Sequence, residues 1–345
     1  MKTNRRITTL SLSMAAAAAL LTSACSPATE GSLAEATRAY EQGDFAAARD
    51  QLAGLFASGG ASDQAYLLQL RLMLDLGNGY AALAAIEKLP EAAFDATQRR
   101  VATAHAQLLL GKPQEALGLY DGADPARFAE ADFRMVLWAL RELGEDDEFA
   151  SGMDLALERH PNSPDLNAMA GEQLIRLGLP DEAAAYAATA LKHGPENYEA
   201  LLINGRVAIA GGDLPRAMQH YAKAAKLYPF QATPHANVAG LQLDLGKVEE
   251  AGKTLAGALR DHPEHPFLQW QQARYALAKK DIAAARFALE KARRSFTDNG
   301  EFVLLSAQVE EQAGNPVLAV AEYRRYLQMQ GSNPDVEARI ARLES

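Results

Sequence analysis

A chain of 345 residues with 44 acidic against 34 basic side chains is poorly matched to nucleic acid, whose phosphate backbone calls for a basic stripe. A single cysteine excludes an internal disulfide framework. Aromatic residues make up 7% of the chain, and its two tryptophans, Trp138 and Trp270, fall in separate segments, which argues against a sugar-stacking platform.

Residues 1–24 read as an export leader. Lys2, Arg5 and Arg6 precede an apolar run from Ile7 to Leu21, and Thr22, Ser23 and Ala24 supply small residues before Cys25. The run is too short and too rich in alanine to favour a membrane span. Losing Lys2, Arg5 and Arg6 with the leader makes the remaining chain still more acidic. The segment resembles a bacterial lipoprotein cleavage box, although Thr22 stands where that family prefers leucine. The resemblance implies that Cys25 becomes the first residue and carries lipid. Ser26, rather than an aspartate, implies the outer membrane, with the protein facing the periplasm. The alternative is ordinary cleavage near Ala24 or Ala28 into a soluble periplasmic protein. Residues 25–31 then form a short linker that holds whatever follows close to the membrane.

From residue 32 onward one spacing dominates. Gly43, Gly77, Gly111, Gly144, Gly178, Gly212, Gly246, Lys280 and Gly314 form a ladder in which every interval is 34 residues except the 33 between Gly111 and Gly144. Five residues after each rung stands Ala48, Ala82, Ala116, Phe149, Ala183, Ala217, Ala251, Ala285 or Ala319. Seven residues before it stands Ala36, Leu70, Ala104, Leu137, Gly171, Gly205, Ala239, Ala273 or Ala307. Glycine ends a first helix in a conformation other residues resist, and the small columns let two helices approach closely. Pro113, Pro180, Pro215 and Pro316 restart a second helix where a missing N–H costs nothing. Pro161, Pro195, Pro229 and Pro263 then stop it. Ala217, Tyr221, Ala224 and Leu227 show the helical period between these marks. No stretch alternates long enough to argue a strand.

The pattern resembles the tetratricopeptide repeat, a helix-turn-helix unit with a 34-residue period. Units begin near 29, 63, 97, 130, 164, 198, 232, 266 and 300. The resemblance implies an all-α, right-handed superhelical solenoid of about nine helix-turn-helix units spanning residues 32–334. Residues 335–345 then form a capping helix, with Val336, Ile340 and Leu343 on its buried face. It also implies a concave groove lined by the first helix of each unit. Reading the groove positions off repeats 6 to 8 gives Arg206, Asn237, Asp244, Trp270, Gln271 and Arg274 as the candidate partner-binding residues. Arg206 and Arg274 would frame a carboxylate or an acidic segment, Asn237 would bond an extended backbone, and Trp270 would anchor an apolar side chain.

No phosphate-cradling glycine loop is present, and the seven histidines contain no H-E-x-x-H pair. His262 and His265 form an H-x-x-H, but Pro263 and Pro266 interrupt the turn a metal would need. His160, His193 and His262 suit the negative ends of second helices instead. Glu145, Asp146, Asp147 and Glu148 lack the spaced oxygens of a calcium loop and suit the start of a helix. No cofactor, metal or catalytic residue is expected. The reading is a non-enzymatic scaffold or adaptor in envelope biogenesis, such as pilus assembly, outer-membrane assembly or polysaccharide export. Its partner is a protein or peptide segment in the groove. The alternative from another class is an accessory subunit of a cell-wall or polysaccharide enzyme that touches glycan directly.

Overall fold

A computed structural model describes residues 32–345; the leader and the whole linker, Cys25 included, lie outside them. Among the described residues there is no strand, and the helices follow one another as nine hairpins and a final single helix. The first three hairpins are α1 (Leu33–Glu41) with α2 (Phe45–Ala57), α3 (Asp63–Asp75) with α4 (Gly79–Lys88), and α5 (Ala96–Leu109) with α6 (Pro113–Gly118). The next three are α7 (Glu130–Leu143) with α8 (Asp146–Arg159), α9 (Pro164–Arg176) with α10 (Pro180–His193), and α11 (Tyr198–Ala210) with α12 (Leu214–Leu227). The last are α13 (Ala232–Asp244) with α14 (Val248–Asp261), α15 (Pro266–Ala278) with α16 (Ile282–Ala292), and α17 (Gly300–Gln312) with α18 (Pro316–Gln330), followed by α19 (Pro334–Glu344).

The ladder is the set of turns inside these hairpins. Each of its glycines has a positive φ, between 68° and 76°. Lys280 holds the same turn at φ 61°, alone among the described non-glycine residues. In this geometry the following residue donates its N–H to the carbonyl five residues back, as Asp213 does to Ala208 at 2.8 Å and Asp281 to Ala276 at 2.9 Å. The small columns meet where the two helices of a hairpin cross. Ala183, Ala217, Ala251, Ala285 and Ala319 have no exposed surface, and a Cβ at Gly205 would strike the buried Tyr221 ring.

The one irregular interval in the ladder coincides with the one irregular hairpin. Between Gly111 and Gly144, α6 is only six residues long, and a 3-10 turn at Pro125–Arg127 completes the connection. As between other successive hairpins, the first helices touch here, α5 against α7. The fully buried Asp132 fills that contact: one oxygen accepts from Arg100 Nε and Nη2 at 3.1 and 2.7 Å, and the other from the Ala129 N–H at 3.0 Å. The Arg100 guanidinium lies over the Tyr120 ring at 4.9 Å. In the next hairpin Phe149 occupies the alanine column and is buried among Phe133, Leu140 and Met153. Gly152, whose added Cβ would lie 3.2 Å from Leu137, supplies the close approach that Phe149 forgoes.

At the other end α19 covers the last hairpin. Val336 is buried, and Ile340 and Leu343 pack beside it against Tyr323 and Tyr326. Arg339 and Arg342 reach the two oxygens of Glu311 on α17 at 2.8 and 2.6 Å. No described helix is long and apolar enough to cross a membrane.

Candidate partner-binding groove

Side chains spaced three or four residues apart form a single stripe along a helix. In five successive first helices that stripe faces one groove of about 750 Å³. Arg134, Trp138 and Arg141 come from α7; Asp165, Met169, Glu172 and Arg176 from α9; Glu199, Leu202 and Arg206 from α11. Thr233 and Asn237 come from α13, Phe267 and Trp270 from α15, and Phe296 and Asn299 from the turn before α17.

The two ends of the groove differ. At the α7–α11 end four arginines face four carboxylates, and the arginines are already engaged. Arg134 pairs with Asp165 at 2.7 Å, whose other oxygen accepts from Asn197 at 2.8 Å. Arg206 pairs with Glu172, Arg176 with Asp146 at 3.3 Å, and Arg141 with Glu142 at 3.8 Å. Glu199 has no hydrogen-bond or ion-pair partner among the described residues. Its side chain is exposed on the groove wall, within the concave face of the stacked helices. Desolvation, with Asp165 and Glu172 close by, holds its carboxyl above the ordinary range despite Arg134 and Arg141. His105 packs against Trp138 with ring centroids 5.5 Å apart and the rings tilted, and burial beside Arg134 lowers its pKa to about 4, so it is neutral.

The α13–α17 end is aromatic. Trp270 lies 5.7 Å from Phe267, 4.9 Å from Phe296 and 6.0 Å from the buried Phe302 by ring centroids. It is half-buried, so one part of the ring belongs to the core while another faces the groove. Asn237 stands between the two ends with no hydrogen-bond partner among the described residues.

The expected set of six therefore divides. Arg206, Asn237 and Trp270 line the groove, whereas Asp244, Gln271 and Arg274 do not. Gln271 is buried against Gly240, where an added Cβ would come within 3.1 Å of its Oε1. That oxygen accepts from Arg274 Nη1 at 2.9 Å, and the other end of the guanidinium pairs with Asp244. Arg206 and Arg274 thus do not line one groove, and each pairs with a carboxylate one repeat earlier. The unmatched charge in the groove is the carboxylate of Glu199.

Reading groove positions in repeats 6 to 8 missed Arg134, Trp138, Asp165 and Glu172. They occupy equivalent positions in repeats 4 and 5, so the same rule extended by two repeats finds them. Phe296 belongs to a connection between repeats and follows no such rule. His265 Nδ1 accepts from the Leu268 N–H at 3.5 Å at the start of α15. Among the described residues no three or more His, Cys, Asp or Glu side chains converge to hold a metal.

Residues 169–232 and 270–334 match the family model for the tetratricopeptide repeat. The hairpins in these two stretches are tetratricopeptide repeats. Solved structures of similar fold include PilF of Pseudomonas aeruginosa, 17% identical with a TM-score of 0.48 over 62% of this chain and 97% of that one. A tetratricopeptide repeat protein of Thermus thermophilus is 22% identical with a TM-score of 0.45 over 53% of this chain and 99% of that one. Another from Parabacteroides merdae is 16% identical with a TM-score of 0.45 over 82% of this chain and 99% of that one. No curated protein matches the chain.

Proposed function

We propose that the protein is a non-enzymatic scaffold that holds an extended segment of a partner protein in the α7–α17 groove. The observation that carries this reading is the groove's complementary pair of unsatisfied features. Glu199 offers an unpaired carboxylate to a lysine or arginine of the partner, and Trp270 with Phe267 and Phe296 offers a seat for a bulky apolar side chain. The free amide of Asn237 between them suits a peptide backbone. Stacked repeats serve such binding because their first helices present one continuous concave surface.

The leader pattern adds the setting: export, lipidation at Cys25, and a scaffold facing the periplasm from the outer membrane. Envelope biogenesis, whether pilus assembly, outer-membrane assembly or polysaccharide export, is the role that fits. A diacylglycerol-sized mass on Cys25, lost in Cys25→Ser with release from membranes, is the expected result; an unmodified amino terminus would remove the anchor from this reading. For the groove, a photoreactive residue at position 237 should crosslink one recurrent partner segment, and Trp270→Ala should abolish that crosslink. An unchanged crosslinking pattern in Trp270→Ala sinks the groove assignment.

The glycan-contacting alternative gains one observation, since Trp138 and Trp270, separate in sequence, line the same groove. Binding of purified cell-wall or exported polysaccharide without any protein would favour it.

A further inference from the structure

At seven ladder glycines, from Gly77 to Gly246 and at Gly314, an added Cβ would meet open space. Gly43 is the exception: its Cβ position is occupied by the ring of Phe230. Phe230 lies in the turn between α12 and α13, where the sixth hairpin passes into the seventh. Its ring centroid is 6.2 Å from that of Phe45, which lies 5.7 Å from Tyr40. The Tyr40 hydroxyl in turn donates to Asp75 on the second hairpin at 2.5 Å. The turn at one edge of hairpin 1 therefore meets the opposite edge of the solenoid where hairpin 6 passes into hairpin 7. Since each hairpin also packs on the next, this contact completes a closed ring.

We propose that Phe230, seated on Gly43 and Phe45, is a clasp that closes the first six hairpins into a ring, and that its opening admits a partner segment sideways to the groove. The second half of this statement rests on the groove reading above; the first half does not. Two features make the contact suited to opening. It is confined to a few aromatic side chains, all of them half-buried, whereas hairpins adjacent in sequence share continuous helix-on-helix interfaces. It also joins elements remote in sequence, so releasing it disrupts no helix. Glycine at position 43 then has two duties, the positive φ shared by the whole ladder and the vacant side-chain position that only this rung needs.

The ladder supplies its own control. Gly43 and Gly111 have similar φ, 75° and 68°, so alanine at either carries the same backbone strain, but only at 43 does the new methyl group meet Phe230. With Cys25 replaced by serine in the full chain, spin labels at Gln42→Cys and Gln231→Cys should report one short, narrow distance distribution. Phe230→Ala and Gly43→Ala should broaden and lengthen it, Gly111→Ala should not, and helical circular dichroism should remain in all four proteins. A distribution indifferent to Phe230→Ala, or equal effects at Gly43 and Gly111, overturns the clasp. Gating has a separate readout, with Arg206→Cys as the sole thiol of the Cys25→Ser chain. A small maleimide should label it equally fast whether Phe230 is present or replaced by alanine. A bulky polymer-linked maleimide should label it several-fold faster in Phe230→Ala. Equal rates with the bulky reagent overturn gating while leaving the clasp standing, and neither result depends on a partner being found.

Discussion

Lys280 shows what a repeat pattern demands of one residue. It occupies a turn that needs a left-handed backbone, and it adopts that backbone at φ 61° although it carries a side chain. An L-residue pays about 1–2 kcal/mol for this conformation, and glycine recovers that while losing about 0.5–1 kcal/mol through its freer unfolded chain. Lys280→Gly should therefore raise stability by about 0.5–1 kcal/mol, seen as a higher urea midpoint at unchanged slope. A lower midpoint would mean that contacts of the Lys280 side chain outweigh its backbone strain. The turn was legible in the sequence because eight other rungs define it. The Arg100–Asp132 pair was not, because its partners lie on different hairpins and neither residue differs locally from an ordinary solvated charge. What distinguishes them is the burial of Asp132 where α5 meets α7, which no spacing in the sequence marks.

At the scale of the element, α19 divides in the same way. The stripe of Val336, Ile340 and Leu343 was legible as the face that closes the stack, since helical periodicity alone places all three together. The ion network that fastens the helix depends on Glu311, two helices earlier, and no periodicity connects them. Burial pushes the Glu311 carboxyl up, but the Tyr323 hydroxyl, Arg339 and Arg342 outweigh it and leave the group below its usual range. A depressed carboxylate contributes stability that is fully present above the unfolded pKa, about 4.3, and is lost as pH falls through the folded value. Hydrogen-exchange protection of α19 should accordingly weaken as the pH drops below about 4. Glu311→Gln should lower that protection at neutral pH by about 1 kcal/mol, a modest figure because both arginines are well exposed. The variant should show little further change in acid. Protection in the variant equal to that of the wild type at neutral pH would assign the docking of α19 to its apolar face alone.

For the whole molecule, the period made the architecture legible because 34 residues suffice for a hairpin, and a hairpin buries its apolar stripe only by stacking on the next. The groove was legible in part. Its position rule located Arg206, Asn237 and Trp270, but pairing across repeats decided which charges remain free, and that required the distances between helices. The outcome is a groove whose arginines are matched and whose Glu199 is not. Its raised carboxyl pKa means that the folded chain takes up this proton more readily than the unfolded chain does. The stability linked to that proton is complete below the unfolded value and is lost as pH rises through the folded one. An ionised Glu199 at neutral pH is thus a cost to the fold. Glu199→Gln, nearly identical in shape, should melt higher than the wild type at neutral pH, and the gap should close in acid as the wild-type carboxyl protonates. If the carboxylate is kept to receive a cationic side chain, the same substitution should weaken the partner crosslink at position 237. Charge reversal of the partner's lysine or arginine should then have no further effect in the Gln variant. A variant that is both more stable and fully able to bind would leave Glu199 without that role and place recognition in the aromatic end of the groove.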